Sequence, residues 1–369
     1  MSLIGFVMLY MAVSIGIGLY AATRVKTTQD YAIAGRSLPL AMGNTATFAT
    51  WFGSETVLGL PGRFIEGGIA GVIEEPFGSG MALILVGAFF AGKLYKMNLL
   101  TIGSFYRHRY GKGVELACSI FIILSYLGWV AAQVSALGLV LNLVTEGAIS
   151  VTLGMVIGTL VVLLYTMYGG MWSVALTDFF QMILIVVGLV VIAFVAGDMA
   201  GGADKVITYA NNRHLFHALP EMSVHGWLFW ISAAMTMMIG SIPQQDVFQR
   251  VMSAKSGKIA VAGPIIGGVF YIFFAMVPMF IVVASILVMP DVSGRMLAED
   301  PHMPMWLRVL FFGAVLSAVM STASATILAP STTFVENVLK NFTHISEKNE
   351  IRTMRATVLV FTLLVLVKI

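Results

Sequence analysis

The stretch AVLSAVMSTASATILAPSTT sets hydroxyl groups into an apolar run: Ser317, Ser321, Thr322, Ser324 and Thr326. At helical spacing Ala318, Ser321 and Thr322 share one face, at i, i+3 and i+4. Hard cations take oxygen ligands. Two such hydroxyls, joined by carbonyls freed from an unwound neighbouring helix, would form an oxygen cage for sodium without burying a full charge in lipid. The plainer use of the same hydroxyls is bonding back to their own helix, or tightening its contacts.

A second chemical oddity lies in ATWFGSETVLGLPG, residues 49–62. Trp51, Gly53, Ser54 and Glu55 interrupt an apolar run, and Gly59-Leu60-Pro61-Gly62 follows. A carboxylate at membrane depth is costly, and it is read as functional by default. Glu55 suits three roles: attracting a cationic amine, capping the half-helix after a break, or facing an outer vestibule. No nucleophile–base pair or metal-ligand cluster accompanies it, so neither enzymatic chemistry nor a cofactor beyond a coupling ion is expected. His214 and His217 share a polar loop and read as solvated surface rather than as a metal pair.

Both stretches need membrane helices to hold them. Of 369 residues, 59% are hydrophobic and only 11% charged, with a mean hydropathy of +0.92. A soluble domain is about a quarter charged, so this balance belongs to a protein of the lipid bilayer. The 37 glycines and 24 methionines suit close helix packing in lipid. A formal net charge of +3 is too small to imply nucleic acid. Cys118 is the single cysteine, which excludes an intramolecular disulfide, and in its apolar run it reads as packing. The first apolar run lacks a small-residue cleavage site and is expected to be retained.

A span needs about 20 apolar residues. On that ruler the spans are 3–22, 40–62, 68–95, 114–143, 150–170, 174–197, 225–249, 259–289 and 304–336, with a further run at 356–369. Arg24, Lys26, Arg36, Arg107, Arg109, Arg250 and Lys255 fall in loops after odd-numbered spans; Glu66, Glu74, Glu75, Glu146 and Asp204 fall in the others. Cytoplasmic loops collect cations, which predicts an outside N-terminus. Two spans are interrupted. The second breaks at Gly53-Ser54 and again at 59–62; the seventh breaks at Gly240-Ser241-Ile242-Pro243, before Gln244-Gln245-Asp246. Paired interruptions at corresponding positions point to a midplane binding site in inverted-repeat transporters, and a pair of proline kinks without chemistry is the bland alternative.

Five strings, in order, resemble the sodium:solute symporters, a family carrying proline, sugars, choline and other solutes. They are AGRSLP (34–39), VSALGLVL after Trp129, LYTMYGGMWSVALTDFFQMILIVVGL (164–189), IPQQDVFQRVMSAKS (242–256) and SAVMST (317–322). The phrasing is most similar to the high-affinity choline transporter branch, with the proline symporter branch next. The resemblance implies an all-α integral membrane protein of LeuT type, in one transmembrane domain over 1–369. Two five-helix repeats of opposite orientation would follow one extra N-terminal helix, 3–22. The first repeat would fill about 40–197 and the second about 225–369, stopping within its fourth helix.

The resemblance also assigns positions. The backbone carbonyls of Ala49, Phe52 and Ala318, with the hydroxyls of Ser321 and Thr322, would bind sodium. Asp178 matches an acid on the inward ion path, its other reading being a helix N-cap. Arg36 matches an arginine tied to coupling, although charge bias alone accounts for it. In the choline branch aromatic rings hold a quaternary ammonium. Trp51 and Trp129 keep two of those rings, while Ser79 and Gln244 replace the other two. Gln133, Gln244 and Gln245 are able to hydrogen-bond a carboxylate or amide instead, and the resemblance gives Glu55 no role. The expectation is a sodium-coupled symporter of the plasma (inner) membrane that imports a small polar organic solute by alternating access. That solute would be an amino acid such as proline, or a choline- or betaine-like compound. A symporter-like sensor domain of a signalling protein and a non-functional fragment are the competing expectations.

Overall fold

Lipid offers no partner to backbone polar groups, so apolar runs of span length fold as helices. The computed structural model describes residues 3–220, 222–289 and 303–368, and among these the chain is helical with no strand. The main helices are α1 (Leu3–Ala22), α2 (Leu40–Trp51), α3 (Leu60–Gly71), α4 (Ser79–Leu85), α5 (Lys112–Val144), α6 (Val151–Met199) and α7 (Val224–Gly240). They are followed by α8 (Gln245–Ser253), α9 (Gly257–Phe274), α10 (Met276–Val288), α11 (Met305–Thr333) and α12 (Glu347–Lys368). Among the described residues six helices are long and apolar enough to cross a membrane, and α7 with α8, bent by 45°, makes a seventh span.

The expected spans 150–170 and 174–197 are the two arms of α6, which meet at a kink. Its 49 residues would reach about 73 Å if straight, more than twice a hydrocarbon core of ~30 Å. Instead α6 turns at Gly170, where φ is 51° and ψ −137°. A Cβ there would stand 2.3 Å from the Tyr31 carbonyl oxygen, so the turn requires glycine. The helix is the spine of the molecule, packing along α1, α2, α5 and α11.

Helix α11 is the most enclosed element: every residue from Ala314 to Thr333 is buried. Its hydroxyls tolerate this because several bond back one turn. Ser317 donates to the Gly313 carbonyl at 2.7 Å, Thr326 to that of Thr322 at 2.9 Å and Ser331 to that of Ile327 at 2.8 Å.

Both predicted interruptions exist, with one correction. Helix α2 ends at Trp51, and Phe52 leaves the helix with ψ 69°. The chain resumes as a π-helical turn, Glu55–Gly59, and then α3. Gly59-Leu60-Pro61-Gly62 does not break the helix: Gly59 and Leu60 keep helical dihedral angles, and the π-helical turn runs directly into α3. The second break comes at Gly68 (φ 58°, ψ −159°), where a Cβ would meet the Leu215 carbonyl oxygen at 2.7 Å. Beyond it the N–H groups of Ile69 and Ala70 donate to the carbonyls of Leu215 (2.8 Å) and His217 (3.0 Å). The segment read as a polar loop is therefore a strap, and it contains its own helix, Ala203–Asn212.

The start of the first broken span and the end of the second meet. Leu38 N–H donates to the Ser253 carbonyl at 3.0 Å, and Lys255 N–H donates to the Leu38 carbonyl at 2.9 Å, forming an isolated parallel bridge between Leu38 and Ala254.

Candidate functional site

The end of α2 sets free a carbonyl. In an unbroken helix the Ala49 carbonyl would accept from Gly53 N–H, but that group turns to the Trp51 carbonyl at 3.0 Å. The Ala49 carbonyl instead accepts the hydroxyls of Ser321 at 2.9 Å and Thr322 at 3.2 Å, and Ser321 Oγ also lies 3.0 Å from the Ala318 carbonyl oxygen. All four residues are buried. A cation entering between these oxygens would meet lone pairs once the two hydroxyl protons rotate away. At Phe52, ψ of 69° turns a further carbonyl out of the helical direction. Gly53 lets the two elements approach, since a Cβ there would lie 2.5 Å from Thr322 Oγ1.

A ring cluster flanks the cage. The Trp51 indole N–H donates to Asp246 Oδ2 at 3.1 Å, and the Tyr126 hydroxyl donates closely to Oδ1. The backbone N–H of Asp246 in turn donates to Tyr126 Oη at 3.0 Å. Trp129 packs against Tyr126 with ring centroids 5.7 Å apart. Trp51 and Trp129 thus belong to one assembly, joined by Asp246 and Tyr126, two residues that the sequence pattern did not single out as site groups. Gln244 precedes the first turn of α8 and keeps a buried Oε1 without a hydrogen-bond partner.

Glu55 faces Gln133. The buried Gln133 donates from Nε2 to both carboxylate oxygens, at 2.9 and 2.8 Å, and its Oε1 accepts from Ser54 N–H at 3.3 Å. The half-helix after the break has no side-chain cap bond, which rules out the capping role. Glu55 instead lines a cavity of about 440 Å³ together with Leu58, Ala136, Leu139 and Met155. Ser79 lies elsewhere: its hydroxyl bonds the Glu74 carbonyl at 3.5 Å, one turn from Glu75.

Two loop assignments are corrected by burial. Glu75, assigned to an outside loop, is 8% exposed and accepts from Tyr271 (2.5 Å), Thr56 (2.7 Å) and Arg63 (3.4 Å). The signal was present, because residues 74 and 75 lie inside the apolar run 68–95. Arg250, assigned to an inside loop, is 3% exposed; it donates to the carbonyls of Asp246 (3.1 Å) and Ala46 (3.5 Å) and stands 4.0 Å from Asp178. Asp178 sits inside α6 two turns beyond Gly170, fully buried, so the N-cap reading fails. Arg36 stacks over the Tyr95 ring at 3.9 Å and donates to the Tyr95 carbonyl (2.8 Å) and to the Asn98 side chain. Among the described residues no three His, Cys, Asp or Glu side chains form a metal-holding group.

A family model described as the sodium:solute symporter family matches residues 31–369. High affinity choline transporter 1 of Homo sapiens is 28% identical, over 97% of this chain and 66% of that protein. The high-affinity choline transporter 1 of Caenorhabditis elegans is 27% identical, over 90% and 60%. The chain therefore spans less than two thirds of the length of these two curated relatives. The sodium/glucose cotransporter of Vibrio parahaemolyticus is 23% identical, over 90% of this chain and 68% of its own. A Na+-coupled sialic acid symporter, solved substrate-bound and outward-open, superposes with a TM-score of 0.87 at 20% identity, over 99% of this chain and 79% of that one. MhsT in complex with L-phenylalanine gives 0.63 at 12%, over 89% and 79%. The shared fold is of the LeuT type.

Proposed function

Because the chain belongs to the sodium:solute symporter family, we propose that it couples the movement of a small polar organic solute to sodium, by alternating access. The observation that carries this reading is the meeting of the Ala49 and Ala318 carbonyls with the Ser321 and Thr322 hydroxyls at a helix break. Sodium takes these four oxygens and the Phe52 carbonyl. It fastens α2 to α11, stiffens the break and so completes the neighbouring pocket. Trp51, Trp129 and Gln244 line that pocket, Asp246 lies beneath the rings, Gln133 holds Glu55 at the outer wall, and Ser79 borders the Glu75 side. Release is inward, past Asp178. The N-terminus is outside, in the plasma (inner) membrane.

The choline transporters among the relatives and the buried Asp246 carboxylate favour a solute with a cationic group. The free Gln244 Oε1 favours an ammonium that still carries N–H donors. The test is uptake into proteoliposomes of labelled proline, choline and glycine betaine, with and without an inward sodium gradient. Gradient-dependent uptake of at least one solute is expected. Uptake that ignores the gradient, or none across the panel, would overturn the reading.

A further inference from the structure

Behind the first break, three side-chain oxygens and one carbonyl form four short contacts. Glu75 Oε1 lies 2.5 Å from Tyr271 Oη and 2.7 Å from Thr56 Oγ1; the two hydroxyl oxygens are 2.9 Å apart; and Thr56 Oγ1 is 3.1 Å from the Trp51 carbonyl oxygen. A carbonyl or an ionised carboxylate only accepts, and each hydroxyl brings a single proton. With Glu75 ionised, both hydroxyl protons turn to the carboxylate, and the Trp51 carbonyl is left with Gly53 N–H alone. With Glu75 protonated, its O–H donates to Thr56 and the Thr56 proton is released to the Trp51 carbonyl, while Tyr271 still donates to Oε1. The proton-bound form fills one more contact, which matters where water is scarce.

The surroundings give the proton a route. Arg63 of α3 approaches Glu75 at 3.4 Å and Glu74 at 3.6 Å, and its side chain is 40% exposed, so this side of the cluster opens toward solvent. Glu55 lies on the preceding residue of the Thr56 turn. On α9 the facing ionisable group is Tyr271. Helix α4 has no ionisable residue, and α7 has none from Trp227 to Gly240. Trp51 directly precedes Phe52 and stands two residues after Ala49, so a bond gained at its carbonyl acts on the sodium cage.

We infer that Glu75, Tyr271 and Thr56 form a proton-binding site whose occupancy tightens the first break, so that proton and sodium bind with positive coupling. The inference rests on the sodium site proposed above. The step is protonation of one carboxylate, with no other bond made or broken. By reciprocity sodium must raise proton affinity by the same factor.

The experiment titrates sodium into the purified full chain, read by tryptophan fluorescence or thermal shift, at pH values from acid to alkaline. The sodium midpoint should fall about fivefold or more on acidification, and sodium added in weak buffer should draw protons from solution. In Glu75→Gln the amide donates to Thr56 at every pH, so the midpoint should stay at its low, acid-side value. In Tyr271→Phe the anion loses a donor, and the transition should move to higher pH. Should Glu75→Gln fail to fold, proton uptake by the wild type and the Tyr271→Phe shift decide the matter. A pH-independent midpoint in the wild type, or unchanged pH dependence in Glu75→Gln, would overturn the coupling alone. No sodium effect at any pH would overturn the coupling and the sodium site together.

Discussion

A single hydrogen atom at Gly53 is what lets the two halves of the cation cage touch. A methyl there would lie 2.5 Å from Thr322 Oγ1. The same methyl would stand 2.9 Å from Thr322 Cβ, so Gly53→Ala should force α2 and α11 apart, lowering the melting temperature and weakening sodium binding at least tenfold (about 1.4 kcal/mol), as a sodium titration followed by thermal shift would show. The Asp178–Arg250 pair makes a contrasting demand. Both side chains are buried 4.0 Å apart, so removing either charge alone leaves the other stranded, at a cost of about 3–5 kcal/mol. A double replacement by apolar residues should recover most of that loss, measured by denaturation in mild detergent. The hydroxyl face of α11 was legible because Ala318, Ser321 and Thr322 obey a helical period. Asp246 and Arg250 were not, because their burial depends on Tyr126 and Asp178, each at least 70 residues away in the chain. Periodicity carries no information about such partners.

Breaks and turns place these residues, and their positions follow backbone conformation more than composition. Gly170 combines a φ of 51° with a Cβ position only 2.3 Å from the Tyr31 carbonyl oxygen. Gly170→Ala should destabilise the protein by more than about 2 kcal/mol, visible as a lowered melting temperature. Pro61→Ala, by contrast, should not lower stability, because the chain is already helical before the ring and alanine restores an N–H to that turn. The two tests together separate a required turn from an incidental proline. The break at Gly53 and the one between α7 and α8 at Pro243 could be read from residue types. Gly68 could not, because what makes it a break is the strap bonded to Ile69 and Ala70 from residues 215 and 217.

At the scale of the molecule, the spans were legible because lipid enforces their length, and the LeuT-type fold class followed from the resemblance carried by the five strings. The two arms of α6 were legible as separate spans, with Gly170 at their junction. If the cage and the ring cluster belong to one cycle, their ligands must be thermodynamically linked. Sodium should lower the Kd of the transported solute by some factor, and the solute should lower the Kd of sodium by the same factor, as isothermal titration in both orders would test.

The two-bond bridge between Leu38 and Ala254 has a mechanical consequence. It joins the start of α2 to the end of α8, which approach the site from opposite halves of the chain. Parts fastened at their pivots share one degree of freedom. Tilting either one alone would break two backbone hydrogen bonds, so the proposed sodium cage on the first and Asp246 on the second are expected to move together. Spin labels at Ser37 and Lys255 should keep their separation whether or not sodium is present, while a label on α8 paired with one on the second half of α6 should report the full excursion. A protein joined in this way has little room for a half-moved state, and tight coupling of two cargoes would then be a property of its joinery as much as of its binding energies.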